Sequence, residues 1–248
     1  MTSPATVTAV VDVLNRHGVK ALLMGGQACV AYGASEFTRD IDIAVLADPA
    51  NVDALRAAVG ELGAHVIAVP PLDIRHLQAG HAVHFRCQAP LAAGVRLDVM
   101  SRLRGVESFP SLWARRRVLS NGLQLLALPD LVAAKKTQRE KDWPMIRRLV
   151  EADYFARADS TDDATVRFWL QECRTPELLR TLAARFPRVA EDLARPAVRA
   201  IATGECDGAV LQCLRDEEDQ ERAADQAYWL PLRKELEALR MGRRAAAD

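Results

Sequence analysis

Asp40-Ile41-Asp42-Ile43-Ala44-Val45 is the stretch on which the reading of the fold turns. Its alternation puts Ile41, Ile43 and Val45 on one face of a β-strand and both carboxylates on the other. Upstream, the apolar run 21–24 stops at Gly25-Gly26, and residues 27–32 have room for a helical turn or two before Gly33. Thirteen residues separate Gly26 from Asp40, so strand, glycine turn, short helix and carboxylate-bearing strand follow in that order. Residues 7–16 before them carry helix-like apolar spacing that ends at Gly18. Downstream, Asp48-Pro49 supplies an N-cap and a first-turn proline for a helix running to about Leu62 and ending at Gly63.

Residues 65–69, 81–87 and 95–100 read as three further strands. The last carries Val95, Leu97 and Val99 inward and Arg96, Asp98 and Met100 outward, so Asp98 projects as Asp40 and Asp42 do. Asn121-Gly122, flanked by apolar residues within 118–126, signals a tight hairpin at a sheet edge. After Pro129 the pattern turns helical, with segments expected at 130–139, 144–151, 163–173, 176–186, 188–201 and 217–240, the last kinked or broken at Pro231. The expected fold class is mixed α/β (α+β): a small mixed sheet flanked by helices, then an all-helical C-terminal region. A catalytic domain over 1–152 and a helical domain over 160–248 are expected, with the junction within 153–161.

Composition is that of a folded chain: 248 residues, 50% apolar, 27% charged and net charge zero. The charge is unevenly spread. Residues 96–148 hold twelve Lys/Arg against five Asp/Glu, whereas 159–248 hold fourteen against eighteen. Such a basic surplus attracts polyphosphates or nucleic acid when it lies on one surface, and is a solvated face otherwise. Met1 to Val10 lack a basic start and long apolar run, and no apolar stretch reaches bilayer length, so a soluble cytoplasmic protein without membrane contact is expected. The five scattered cysteines read as free thiols, His76, His81 and His84 as ordinary histidines rather than a zinc set, and the four tryptophans as core anchors.

Carboxylates at i and i+2 on one strand face stand roughly 6–7 Å apart at the backbone. They can converge on one hard cation, Mg2+ or Mn2+, whose remaining positions go to water and phosphate oxygens. Asp98, on a neighbouring strand, is the third candidate ligand. Metal-assisted phosphoryl or nucleotidyl transfer uses such a set. Gly25-Gly26 adds side-chain-free backbone able to approach phosphates closely.

Leu22-Leu23-Met24-Gly25-Gly26-Gln27-Ala28 followed by Thr38-Arg39-Asp40-Ile41-Asp42-Ile43 resembles the polymerase-beta-type nucleotidyltransferase superfamily. The resemblance is closest to the bacterial group related to the toxins of abortive-infection toxin–antitoxin systems. That group adds a lysine-rich helix and a Lys-Asp step, similar to Lys135-Lys136-Thr137-Gln138-Arg139-Glu140-Lys141-Asp142 here. Covering about residues 15–150, the resemblance implies metal ligation by Asp40, Asp42 and Asp98, with Asp98 a candidate base. It implies nucleotide contact by Gly25, Gly26, Thr38, Arg39 and a helix-borne Lys135 or Lys136, with Asp142 capping the next helix or orienting Lys135. Two positions depart from the pattern: Gln27 stands where many relatives carry a hydroxyl, and Glu36 where they carry arginine. Either Arg39 substitutes, or nucleotide affinity is weaker, or the usual donor is changed.

The implied partners are a nucleoside triphosphate, an acceptor that is RNA (such as tRNA) or protein, and a cognate antitoxin protein. The alternatives are a small-molecule nucleotidyltransferase of the aminoglycoside-modifying kind, served by the acidic segment 216–221, and a catalytically silent nucleotide-binding module.

Overall fold

Ser3 opens the first helix, α1 (Pro4–Arg16), three residues ahead of the expected start: its hydroxyl accepts from Thr6 N at 3.1 Å and Pro4 fills the first turn. The structure is a computed structural model describing residues 2–34 and 38–245, the side chains of residues 244 and 245 excepted. Strand β1 (Ala21–Met24) passes without a linker into helix α2 (Gly25–Ala31), and β2 (Asp40–Val45) is the alternating segment. Helix α3 (Pro49–Glu61) starts where Asp48 Oδ1 accepts from Asn51 N at 2.9 Å.

Beyond α3 the strands are shorter than expected. Strand β3 (His65–Val66) stops before Pro70-Pro71, which lack the N–H donors a ladder needs. A helix absent from the sequence reading, α4 (Ile74–Ala79), runs from an Asp73 cap to Gly80 at φ 105°. Strand β4 (Val83–Arg86), a 3-10 turn (Pro90–Ala92) and β5 (Arg96–Met100) follow. Helix α5 (Phe109–Ala114) was also unanticipated, and it precedes the expected hairpin, β6 (Arg117–Val118) and β7 (Gln124–Leu125). Then come α6 (Leu128–Ala134), α7 (Asp142–Ala156), α8 (Asp163–Glu172), α9 (Pro176–Arg185), α10 (Pro187–Glu191), α11 (Pro196–Ala202) and α12 (Asp207–Ala245). The single helix expected over 188–201 is two, because Pro196 cannot donate into a preceding turn and instead starts α11. Pro231 lies inside α12 without ending it.

The seven strands form one sheet in the order β3-β4-β5-β2-β1-β7-β6. The pairs β2/β5 and β1/β7 are parallel; β1/β2, β4/β5, β3/β4 and β6/β7 are antiparallel. Ile41, Ile43, Leu97, Val99, Val83 and Phe85 are buried, each burial contributing about 1.5–3 kcal/mol. The same alternation puts Asp40, Asp42, Arg96, Asp98 and His84 half-buried on the other side of β2, β5 and β4.

The chain forms two compact units. The first takes its described residues from Met1–Ala31, Ser35–Ala134 and Ala227–Asp248, and contains the sheet. In it, Glu235 Oε2 on the last part of α12 lies 2.8 Å from Nε2 of the buried His81. The second unit, Tyr32–Ala34 and Lys135–Gln226, is helical and buries Trp143, Ile146, Trp169, Leu170, Leu179 and Leu182. This is a mixed α/β fold with a helical C-terminal region. Among the described residues no helix is long and apolar enough to cross a membrane.

Candidate functional site

Register decides which side chains meet on the outer face. Across the parallel β2/β5 pair, Asp42 lies opposite Asp98 and Asp40 opposite Arg96. Across β4/β5, His84 lies opposite Asp98. Across β1/β2, Met24 lies opposite Asp42, which brings the start of α2 beside the same carboxylate. The three aspartates singled out in the sequence therefore share one patch of four adjacent strands.

The glycine pair fits around this patch by close approach. Gly25 has φ +63°, and a Cβ placed there would strike the Asp42 carboxylate. A Cβ on Gly26 would lie 2.5 Å from Thr38 Oγ1. Both positions are thus closed to side chains, Gly25 also by its left-handed backbone. Thr38 Oγ1 and the buried Gln27 Nε2 each donate to the Asp40 carbonyl at 3.4 Å. Gln27, one departure from the family pattern, is a tie between α2 and β2. Arg39 is exposed and its carbonyl accepts from Thr2 Oγ1 at 2.5 Å. Glu36, the other departure, lies outside the described residues.

Two carboxylates on the order of 5 Å apart repel by roughly 3 kcal/mol at an effective dielectric of about 20, so the patch needs a counter-charge. Arg96 supplies it: Nε donates to Asp98 Oδ1 at 2.7 Å. His84 Nδ1 is 2.9 Å from the same Oδ1 and 3.0 Å from Arg96 Nη2. Arginine only donates and carboxylate only accepts, so one ring nitrogen serves one of them at a time. Burial pushes the Asp98 carboxyl up, but the hydrogen bonds from His84 and Arg96 outweigh it and hold it below the usual carboxylate range. Neither His84 nor Arg96 was singled out as functional from sequence. Arg96 shares the outer face of β5 with Asp98, which was a legible signal; the register that adds His84 was not.

For a divalent ion the donor chemistry fits: carboxylate oxygens from two adjacent strands on one face of the sheet. The resting arrangement differs from the expected triad. Among the described residues no three His, Cys, Asp or Glu side chains converge as a group able to hold a metal. In this arrangement Asp98 is engaged by Arg96 and His84.

The lysine elements also differ from expectation. Helix α6 ends at Ala134, so Lys135 and Lys136 are loop-borne, not helix-borne. The loop closes around the buried Asp142 at the start of α7, which accepts from Thr137 Oγ1 at 2.6 Å, Arg139 Nε at 2.8 Å and Lys135 Nζ at 3.2 Å. Burial raises the Asp142 carboxyl, and Lys135, Thr137 and Arg139 more than reverse this, leaving it lowered. Asp142 thus fixes Lys135 within the second unit rather than capping α7. Lys136 Nζ donates to Glu172 at 2.8 Å and lines, with Arg174, Arg195 and Glu217, a cleft of about 720 Å³.

The basic surplus is partly internal. At least six of the twelve cations in 96–148, namely Arg96, Arg115, Lys135, Lys136, Arg139 and Arg147, are in ion pairs with acidic side chains.

No protein-family model and no curated protein matches the chain. Among solved structures it is similar to ANT(2")-Ia in complex with adenylyl-2"-tobramycin, at 14% identity and a TM-score of 0.35, covering 73% of this chain and 97% of that one.

Proposed function

We propose that this chain is a nucleotidyltransferase that moves a nucleoside monophosphate from a nucleoside triphosphate to an acceptor. The observation that carries the reading is the position of the Asp42 carboxylate, held against the side-chain-free backbone of Gly25 and in register with Asp98. Carboxylates gathered beside open backbone suit an anionic substrate only when a cation intervenes. Mg2+ or Mn2+ on Asp40, Asp42 and Asp98 would supply that charge and polarise the triphosphate.

In this reading the backbone at Gly25 and Gly26, the Thr38 hydroxyl and the exposed Arg39 contact the phosphates. The acceptor oxygen forms a bond to the α-phosphorus, the bond to the bridging oxygen breaks, and pyrophosphate leaves. Asp98 takes the acceptor proton. Arg96 must loosen for that, because a carboxylate hydrogen-bonded to a guanidinium is a weak base. Lys135, oriented by Asp142, and Lys136 are assigned to the nucleotide phosphates by resemblance alone.

The acceptor we favour is RNA, tRNA included, with growth inhibition relieved by a cognate antitoxin as the biological role and a cytoplasmic location. The basic surplus supports RNA, weakened by the six paired cations. A small-molecule acceptor is the second reading, for which the second unit offers a cleft where Glu172, Glu217 and Glu221 are balanced by Lys136, Arg174 and Arg195.

The test is incubation of the protein and an Asp40→Ala/Asp42→Ala variant with each nucleoside triphosphate labelled at the α-phosphorus, Mg2+, and separate RNA, protein and small-molecule fractions. Label in one fraction, absent with the variant, supports the reading and names the acceptor class. Nucleotide binding without transfer in any fraction would instead indicate a silent binding module.

A further inference from the structure

The outer face of β2 and β5 holds three carboxylates, and an arginine of the same face touches one of them. Arg96 Nε lies 2.7 Å from Asp98 Oδ1, and Arg96 is directly opposite Asp40 across the β2/β5 pair. Its side chain is 37% exposed, so it has a path to solvent, whereas Asp98 is 16% exposed and cannot turn away. We propose that Arg96 is a resident counter-ion that holds the place of a divalent cation on Asp98 and is displaced when that cation binds. The inference rests on reading Asp40, Asp42 and Asp98 as a cation-binding face.

Three features carry it. Among the described residues no three His, Cys, Asp or Glu side chains form a group able to hold a metal, and Asp98 is the carboxylate that Arg96 holds. A guanidinium and a divalent ion held on the one Asp98 carboxylate repel each other, so the two cations compete for that group. His84 supplies the other half of the exchange. Its Nδ1 stands between Arg96 Nη2, at 3.0 Å, and Asp98 Oδ1, at 2.9 Å. With the guanidinium in place Arg96 Nη2 and Asp98 Oδ1 share the one ring nitrogen. Once Arg96 leaves, the Nδ1–H tautomer donates to Oδ1 and braces Asp98 in a fixed orientation, leaving Oδ2 to the ion. Arg96 and His84 are positioning residues here: they act on the substrate through Asp98.

A permanent structural clamp makes the opposite prediction, because loss of Arg96 would then loosen Asp98 and weaken or leave unchanged any metal binding. The full-length protein is titrated with Mn2+ alone, bound and free ion being counted by electron paramagnetic resonance, for the parent, Arg96→Met, Arg96→Lys and Arg96→Met/Asp40→Asn/Asp42→Asn. Circular dichroism verifies that each is folded. The expected result is Mn2+ binding about tenfold tighter in Arg96→Met, from removal of one competing charge-assisted contact, and near-parental affinity in Arg96→Lys, which keeps the charge. Equal or weaker binding by Arg96→Met would overturn the inference. Undiminished binding by the triple variant would show that the ion sits elsewhere, which overturns the reading of the face itself and is distinguishable from the first failure.

Discussion

The Asp42 carboxylate occupies the space that a side chain on Gly25 would need, and Gly25 holds φ +63° to leave it there. Strand, glycine and carboxylate are thereby one unit: the turn exists in this form because β2 delivers Asp42 to it. Gly25→Ala meets both the left-handed backbone penalty and a collision, and should cost about 3 kcal/mol. Gly18→Ala is the control, since Gly18 has φ +73° but nothing within 4 Å of an added Cβ, and should cost about 1 kcal/mol. Urea unfolding of the two variants measures the difference; equal costs would show that the Asp42 contact is absent.

Asp40→Asn removes one of three like charges on the outer face while keeping the side-chain shape. Its stability should stay within about 0.5 kcal/mol of the parent, as for a substitution that breaks no buried pair. Transfer activity should fall by about 100-fold or more, the scale seen when one element of electrostatic stabilisation is removed. Thermal unfolding and an α-label transfer assay on the same sample check both halves.

Asp142 should behave in the opposite way, as a stabilising carboxylate. Asp142→Asn leaves Lys135, whose side chain is 12% exposed, without its ionic partner and should destabilise by about 3 kcal/mol. The pH dependence follows from the lowered carboxyl. Its charged form is favoured in the folded state, so the contribution is complete above the ordinary carboxylate value near pH 4 and disappears as pH falls through the lower, folded value. Urea midpoints between pH 7 and pH 2 should converge for parent and variant at the acid end.

The thiols offer a check on burial. Cys206 is exposed, Cys213 is half-buried, and Cys29, Cys87 and Cys173 are buried, with burial pushing Cys173 up to about 11. An aromatic disulfide reagent at pH 8 should therefore label Cys206 fast and Cys213 more slowly, leaving the other three unreacted until denaturant is added. Fast labelling of Cys173 would contradict the packing of the second unit.

Strand β2 was legible to the residue because a period of two leaves no freedom: moving it by one position would turn Ile41 and Ile43 outward. The Asp48 cap and Pro49 at the start of α3 were equally legible, yet α4 and α5, at six residues each, are too short to show helical periodicity. The end of α6 at Ala134 was not legible, because it depends on Asp142 gathering Lys135, Thr137 and Arg139 from a loop that the composition allows to be helix. At the candidate site the aspartates and glycines could be picked from spacing alone. The contact of Arg96 and His84 with Asp98 could not, since it depends on which strands lie beside β5 and in what register.

The central claim is that the face bearing Asp40, Asp42 and Asp98 directs attack at the α-phosphorus of a nucleoside triphosphate. Its most direct test compares α-labelled with γ-labelled triphosphate in one transfer reaction, using the parent and Asp40→Ala/Asp42→Ala. The account predicts that the acceptor gains α-label and no γ-label, that labelled pyrophosphate is released from the γ-labelled substrate, and that the variant does neither. Acceptor carrying γ-label, or α-label transferred equally by the variant, would contradict it.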